Sequence, residues 1–138
     1  MNIEGDGGLP QQGARDEVRI RALSDQVRGA ALSLHGYLRH GHLERVYEAG
    51  LAHRLRRVGL HVEVQARLTV YDDDGTLLGE FYADLVVAGC LIVELKARKT
   101  LSDDHTAQVL GYLRASGFRD AMLINFGGPR LQVRKFVL

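Results

Sequence analysis

The stretch from Glu80 to Lys99 holds two short apolar runs that are separated by Gly89. Short runs rich in β-branched and aromatic residues on either side of a glycine predict a β-hairpin. The odd-numbered positions of both runs are apolar, as expected for one buried face of two paired strands. These positions are Ala83, Leu85, Val87, Leu91, Val93, Leu95 and Ala97. A three-residue loop with Gly89 in the left-handed conformation would place them on one face.

The even-numbered positions of this hairpin carry the charged residues. Asp84 lies in the first run, and Glu94 and Lys96 lie in the second. With a three-residue loop, Asp84 would lie next to Glu94 across the ladder, and Lys96 would follow on the same face. Two neighbouring carboxylates repel unless a cation lies between them, and a divalent metal would satisfy both. Lys96 could then act on a water or on a phosphate. The alternative is a solvated sheet face with an ordinary Glu–Lys pair.

Composition limits the class of protein. The 138 residues fit one domain, which we place at residues 14–138 after a flexible tail over residues 1–13. The formal net charge of +1 gives no bulk attraction to nucleic acid, so any such binding needs a local basic patch. The single cysteine, Cys90, excludes an internal disulfide and a cysteine zinc site. Neither a membrane-spanning run nor a signal-peptide pattern is visible, so we expect a cytoplasmic protein without membrane contact.

Helical periodicity follows the tail. Apolar residues recur at every third or fourth position from Asp16 to His40, which predicts a first helix that ends at Gly41. Because glycine disfavours helix interiors, Gly29 and Gly36 predict close packing or a break.

A second helix follows directly. Its predicted apolar stripe is Leu43, Val46, Tyr47, Gly50, Leu51, Leu55 and Val58. Glu44 lies in its first turn, where it complements the helix dipole or faces the same pocket as the hairpin carboxylates.

Strands and a third helix complete the pattern. Residues Leu60 to Tyr71 alternate between apolar and polar, which predicts a half-buried strand. The following turn, residues 72–75, does not have the spacing of a calcium loop, which argues against a metal role there. Ser102 is a predicted N-cap for a third helix that Gly117 closes. One stripe of that helix holds His105, Gln108, Tyr112 and Ala115. Two strands separated by residues 127–130 end the chain.

The order of elements predicts an α+β fold. Two helices precede a meander of three strands, and the third helix is a crossover that brings the fourth strand parallel to the strand of Glu94. The chain therefore folds, on this prediction, as a mixed β-sheet with flanking helices.

From about Leu34 onward the chain resembles the GxxExxY protein family. The motif reads Gly41-His42-Leu43-Glu44-Arg45-Val46-Tyr47, and the strings ADLVV, ELKA and HTAQVLGYL also match. That family is placed in the PD-(D/E)XK nuclease superfamily, so the resemblance implies a restriction-endonuclease-like core of order α-β-β-β-α-β. The loop before Glu44 often reads GPG in such proteins, whereas here it reads Arg39-His40-Gly41.

The resemblance also implies roles for individual residues. Asp84 and Glu94 would be the metal-binding carboxylates, with Glu44 as the extra acidic residue from the first core helix. Lys96 would be the catalytic lysine. Gln108 and Tyr112 would be accessory positions at the site, as in the RecB-type branch. All-oxygen ligation favours Mg²⁺ or Mn²⁺ over zinc.

Two functional hypotheses remain after this reading. The first is a metal-dependent nuclease that hydrolyses phosphodiester bonds in nucleic acid, with Gln108 holding a phosphate or the water. The second is a non-catalytic module that binds nucleic acid or a protein in the same cleft. Another phosphoryl-transfer chemistry, or His105 as a metal ligand, is a further alternative, although a lone helical histidine is more often a surface or capping residue. The oligomeric state stays open, a homodimer included.

Overall fold

The computed structural model describes the backbone of residues 2–138 and the side chains of residues 16–138. The predicted flexible tail, residues 1–13, lies outside the part whose side chains are described and stays a prediction. The elements are α1 (Asn2–Leu38), α2 (Glu44–Arg57), β1 (Val62–Tyr71), β2 (Leu77–Val87), β3 (Leu91–Lys96), α3 (Asp103–Ser116), β4 (Asp120–Asn125) and β5 (Gln132–Val137). Within the described residues, none of the helices combines the length and the hydrophobicity that a membrane span requires.

One five-stranded sheet forms the centre of the fold. Its strands lie in the order β1-β2-β3-β4-β5. Strands β3 and β4 are parallel, and the other neighbouring pairs are antiparallel. Helix α3 connects the two parallel strands, as a crossover must, because parallel neighbours cannot be joined by a tight turn. The α+β class, the meander and the crossover helix are confirmed.

The β2–β3 turn has the predicted length. Val87 pairs with Leu91, so the loop holds three residues, 88–90. Gly89 has φ +68, the left-handed conformation that the prediction required. Ala88 also has a positive φ, +53, which the sequence did not indicate. This turn fixes the register that places the position of Asp84 opposite that of Glu94.

Helices cover both faces of the sheet. Helices α1 and α2 pack on one face, around buried residues that include Leu51, Leu85 and Val93. Helix α3 packs on the other face, around residues that include Ile92 and Val109. The predicted odd-numbered face is therefore only one of two buried faces.

Ala83 does not lie on the face that its odd number predicts. It packs with Ala66 in the cluster beneath α3, whereas Leu85 packs in the cluster beneath α1 and α2. The reason is local: the β1–β2 ladder has no bridge between Gln65 and Asp84, and Gln65 has φ +52. Because the pleat is interrupted there, the alternation of side chains shifts between residues 83 and 85.

Several helix predictions need correction. Helix α1 ends at Leu38, and Arg39 with φ +61 takes the left-handed position that was predicted for Gly41, although Gly41 also has a positive φ. The helix runs unbroken through Gly29 and Gly36, where a Cβ would meet no atom within 4 Å. Both glycines are exposed, so neither close packing nor a break is present.

The apolar stripe of α2 is narrower than predicted. Its buried residues are Tyr47, Leu51, Ala52 and Leu55. Leu43, Val46 and Val58 are 64%, 37% and 62% exposed, because they lie at the ends of the helix, beyond its contact with the sheet. Similarly, only two residues of β1 are buried, Val62 and Ala66, since the β1–β2 hairpin extends past the covering helices.

Candidate active site

Asp84 and Glu94 lie where strands β2 and β3 separate. The backbone ladder between these strands runs from Val87–Leu91 to Leu85–Val93. Beyond it, the Asp84 N–H donates to Oε1 of Glu94 at 3.0 Å, and the Leu95 N–H donates to Oδ2 of Asp84 at 2.8 Å. Each carboxylate thus accepts a bond from the opposite strand in place of a carbonyl. The two carboxylates are held side by side, as the register predicted.

Glu94 is buried beside a second acidic group. Glu94 is only 5% exposed to solvent. Burial, and then the neighbouring charge of Asp84, raise the pKa of Glu94 to about 8. Glu94 therefore keeps its proton at neutral pH when no cation is present. A pair of carboxylates in this state is a site where a cation would replace a proton.

Lys96 follows Glu94 by two residues at the end of β3. It is half-buried, and its carbonyl accepts a hydrogen bond from the Phe126 N–H at 2.8 Å. Its ammonium group opposes the repulsion around Glu94 and lowers the pKa of that carboxyl. Lys96 thus lies within electrostatic reach of the paired carboxylates, on the side where the sheet opens.

Glu44 approaches the same place from α2, of which it is the first residue. Burial, and then the charge of Asp84, raise the pKa of Glu44, while Lys96 and Arg98 lower it.

The Tyr47 hydroxyl donates to the Arg39 carbonyl at 2.5 Å, and its ring stacks on Phe126 with centroids 4.6 Å apart. The tyrosine of the GxxExxY motif therefore fixes the loop that presents Glu44.

The three predicted ligands are not assembled at direct coordination distance. In residues 16–138, only Asp72, Asp73 and Asp74 form a group of three potential ligands with oxygens all within 4.8 Å of one another. Those three are exposed, and two of their carboxylates accept backbone N–H groups of the β1–β2 turn. Asp72 and Asp74 thus stabilise the turn. Glu44, Asp84 and Glu94 do not form such a group.

Helix α3 brings Tyr112 and Gln108 to the site. The Tyr112 ring stacks on Phe81 of β2, with centroids 4.0 Å apart and planes 12° from parallel. Burial, and then the charges of Glu94 and Asp84, raise the pKa of Tyr112, so its hydroxyl lies near both carboxylates. A hydrogen bond from Gln108 to Tyr112 lowers that pKa, which places the two side chains together as their spacing of four residues predicted.

His105 caps α3. Its Nδ1 accepts the Ser102 N–H at 3.2 Å, and the Ser102 Oγ accepts the His105 N–H at 3.4 Å. Burial and the charges of Lys96 and Arg98 lower the pKa of His105. The N-cap prediction is confirmed. Because one ring nitrogen serves the cap, the capping role explains His105 without a metal.

Two residues at the site were not singled out by the sequence. Gln65 Nε2 donates to Oε2 of Glu48 at 2.7 Å and to Oδ1 of Asp84 at 3.1 Å. The position of Glu48, four residues after Glu44, is a signal that could have found it, since both share one face of α2. Gln65 gives no signal, because alternation along β1 does not reveal its left-handed backbone, which costs on the order of 1–3 kcal/mol.

Asn125 and Gly127 hold the chain that follows Lys96. Asn125 is fully buried, and its amide makes four hydrogen bonds, two of them with the backbone N–H and carbonyl of Arg98 at 3.0 and 2.9 Å. The other two join it to Gln132 and to the Gly127 N–H. A Cβ on Gly127 would lie 2.2 Å from the Arg98 backbone nitrogen. This close packing fixes the end of β3 and so supports Lys96.

Comparisons with known proteins agree with this fold. The crystal structure of SSO0001 is similar, with a TM-score of 0.56 and 15% sequence identity over 67% of this chain. This chain spans about half of that protein, 48% of its length, and the likeness concerns the fold alone. No curated protein matches the sequence significantly. The family model of the PD-(D/E)XK nuclease superfamily matches residues 21–136, which contain every predicted site residue. The chain therefore belongs to the PD-(D/E)XK nuclease superfamily.

Proposed function

We propose that the protein is a metal-dependent nuclease that hydrolyses phosphodiester bonds in nucleic acid. The observation that carries the proposal is the buried pair Asp84–Glu94, with Lys96 two residues further along β3. Membership of the superfamily supports a nucleic-acid substrate, and nucleases of this superfamily generally use divalent metals. The motif around Glu44 supports a place in the GxxExxY family within that superfamily. The single free thiol of Cys90 fits a cytoplasmic location.

The residues of the pair fit a hard cation. Their donors are oxygens, which Mg²⁺ and Mn²⁺ prefer, and their mutual repulsion is relieved when a cation binds. Asp84 and Glu94 would hold the metal, with Glu44 as a direct or water-mediated ligand. The bound metal would supply Lewis acidity and lower the pKa of a coordinated water.

Lys96 and the α3 residues would act on the substrate. In this proposal the Lys96 amine positions the attacking water, takes its proton or neutralises charge on the phosphate. Gln108 is exposed next to Tyr112 and would hold a phosphate oxygen or the water. Tyr112 is held against Phe81, so its hydroxyl is available near the carboxylates in a fixed place.

A non-catalytic binding module is the second candidate function. It is favoured by one observation, the spacing of Glu44, Asp84 and Glu94, whose oxygens do not all lie within 4.8 Å of one another. A cleft of this kind would hold nucleic acid or a protein without assembling a catalytic ion.

Cleavage assays distinguish the two candidates. Purified protein is incubated with single- and double-stranded DNA and RNA in Mg²⁺, in Mn²⁺ and in EDTA, and Mn²⁺ binding is titrated separately. We expect metal-dependent cleavage that EDTA abolishes. Lys96→Ala should bind Mn²⁺ like the parent but lose most turnover, whereas Asp84→Ala should lose both. The exposed residues Lys99 and Asp25 provide matched controls, Lys99→Ala and Asp25→Ala. Nucleic-acid binding without cleavage by the parent in any of these conditions would leave the binding module as the function.

A further inference from the structure

We propose that Gln65 is a positioning residue for Asp84, and that Glu48 in turn holds Gln65. The two N–H groups of the Gln65 side-chain amide are directed at Glu48 Oε2, at 2.7 Å, and at Asp84 Oδ1, at 3.1 Å. The inference rests on the proposed metal role of Asp84. It adds two residues from other elements, β1 and α2, to the carboxylate–lysine set of β2 and β3.

The Asp84 carboxylate is fixed by donors from two different strands. Leu95 of β3 donates its N–H to Oδ2, and Gln65 of β1 donates to Oδ1. Each oxygen keeps a lone pair for a cation. The torsion that turns a carboxylate about its Cβ–Cγ bond has a broad energy profile, so one donor alone leaves the plane loosely defined. Two donors on opposite oxygens define it.

Glu48 explains why the Gln65 amide stays in place. The Glu48 carboxylate and the Asp84 carboxylate would otherwise face each other across the gap between α2 and the sheet. Burial, and then Asp84, raise the pKa of Glu48, while the hydrogen bond from Gln65 lowers it. A neutral amide that donates to both groups separates two like charges without adding a counter-charge that would compete with a metal.

The backbone of Gln65 supports a functional rather than a folding role. Its φ of +52 lies in the left-handed region that a residue with a Cβ rarely adopts, and the ladder has no bridge at this position. The side chain is exposed, so it contributes no buried apolar area. A strained conformation with an exposed side chain stabilises the fold little, yet it directs the amide at Asp84. Strain of this kind concentrates at functional sites.

The test compares two variants, each of which replaces a residue of positive φ by glycine and so relieves a similar backbone strain at a different position. Gln65→Gly removes both the strain and the amide, and Ala88→Gly removes the strain of a residue with φ +53 in the β2–β3 turn, away from the carboxylates. Mn²⁺ affinity is measured by electron paramagnetic resonance of free Mn²⁺, and Tm is measured in EDTA. We expect Gln65→Gly to keep or raise Tm while its Mn²⁺ Kd rises about 10- to 100-fold, the usual range for a lost supporting group. Ala88→Gly should bind Mn²⁺ like the parent.

Two further comparisons isolate the hydrogen bonds. Gln65→Asn keeps an amide and a residue that tolerates the left-handed region, but it is one methylene too short to reach both carboxylates, so it should also lose Mn²⁺ affinity. Glu48→Gln keeps an acceptor oxygen for Gln65, whereas Glu48→Ala does not. Because both remove the same charge, the Mn²⁺ Kd of Glu48→Ala should exceed that of Glu48→Gln by about tenfold.

The outcomes separate this inference from the proposed function. If the parent binds Mn²⁺ and the Gln65 variants bind it with the same Kd, the positioning role is refuted and the nuclease proposal stands. If the parent binds no Mn²⁺, the metal-dependent function fails, and the role of Gln65 fails with it.

Discussion

Glu94→Gln should make the metal-free protein more stable at alkaline pH. The change removes one member of a buried carboxylate pair while keeping its shape. The Gln carbonyl can still accept the Asp84 N–H, now 3.0 Å from Glu94 Oε1, and its amide can donate to the Asp84 carboxylate. The variant thus keeps the local hydrogen bonds and loses only the charge that burial and Asp84 oppose.

The sign and the size of the effect follow from the pKa of Glu94. That pKa is about 8 in the folded chain, against 4.5 for an ordinary glutamate, so the folded state binds more protons than the unfolded state between these pH values. The contribution of Glu94 to the free energy of unfolding is therefore fully present below pH 4.5 and is lost as pH rises towards 8. At about 1.4 kcal/mol per pKa unit the full difference is about 5 kcal/mol. Relaxation and water entry reduce such penalties, so we expect a gain of about 2–4 kcal/mol at pH 9.

Urea unfolding in EDTA at pH 5, 7 and 9 measures this difference. The stability of Glu94→Gln relative to the parent should be close to zero at pH 5 and should grow with pH. Glu63→Gln is the matched control, because the Glu63 side chain is 60% exposed. A difference between Glu94→Gln and the parent that does not change with pH would refute the reasoning. A variant less stable than the parent at pH 9 would identify Glu94 as part of a structural ion pair.

Three other results are expected. Mn²⁺ should raise the Tm of the parent at pH 8 and leave that of Asp84→Ala unchanged, because binding to the folded state alone stabilises it; calorimetry with and without the ion measures this. Gly127→Ala should lower the free energy of unfolding by about 3 kcal/mol or more, measured in urea, because its Cβ would clash with the Arg98 backbone. Gly128→Ala is the control: the nearest contact of its Cβ would be 3.4 Å, so it should lower that free energy by less than about 1 kcal/mol. Asn125→Asp should lower the free energy of unfolding by about 2–3 kcal/mol, and by more at pH 8 than at pH 4, because a carboxylate cannot donate to the Arg98 carbonyl. Thermal unfolding at the two pH values measures this difference.

Local patterns in the sequence determined much of the fold. The alternation in the central hairpin and the position of Gly89 predicted the three-residue loop, and with it the register that pairs the positions of Asp84 and Glu94. Ser102 predicted the start of α3, and the spacing of Gln108 and Tyr112 predicted their contact. These predictions succeeded because each depends on residues that are close in sequence, through a turn, a cap or one helical turn.

What the sequence missed depends on contacts between distant segments. The shift of Ala83 to the α3 face, and the link from Glu48 through Gln65 to Asp84, arise from one interruption of the pleat that no residue type announces. The glycines show the same contrast: Gly29 lies exposed in an unbroken helix, whereas Gly127 is required because the Arg98 backbone lies against it. Periodicity along one strand or helix records which side chains share a face. Which element covers that face, how far the cover extends and which polar groups meet beneath it are set by tertiary packing, and these decide the position of Glu44, Glu48 and Gln65 around Asp84.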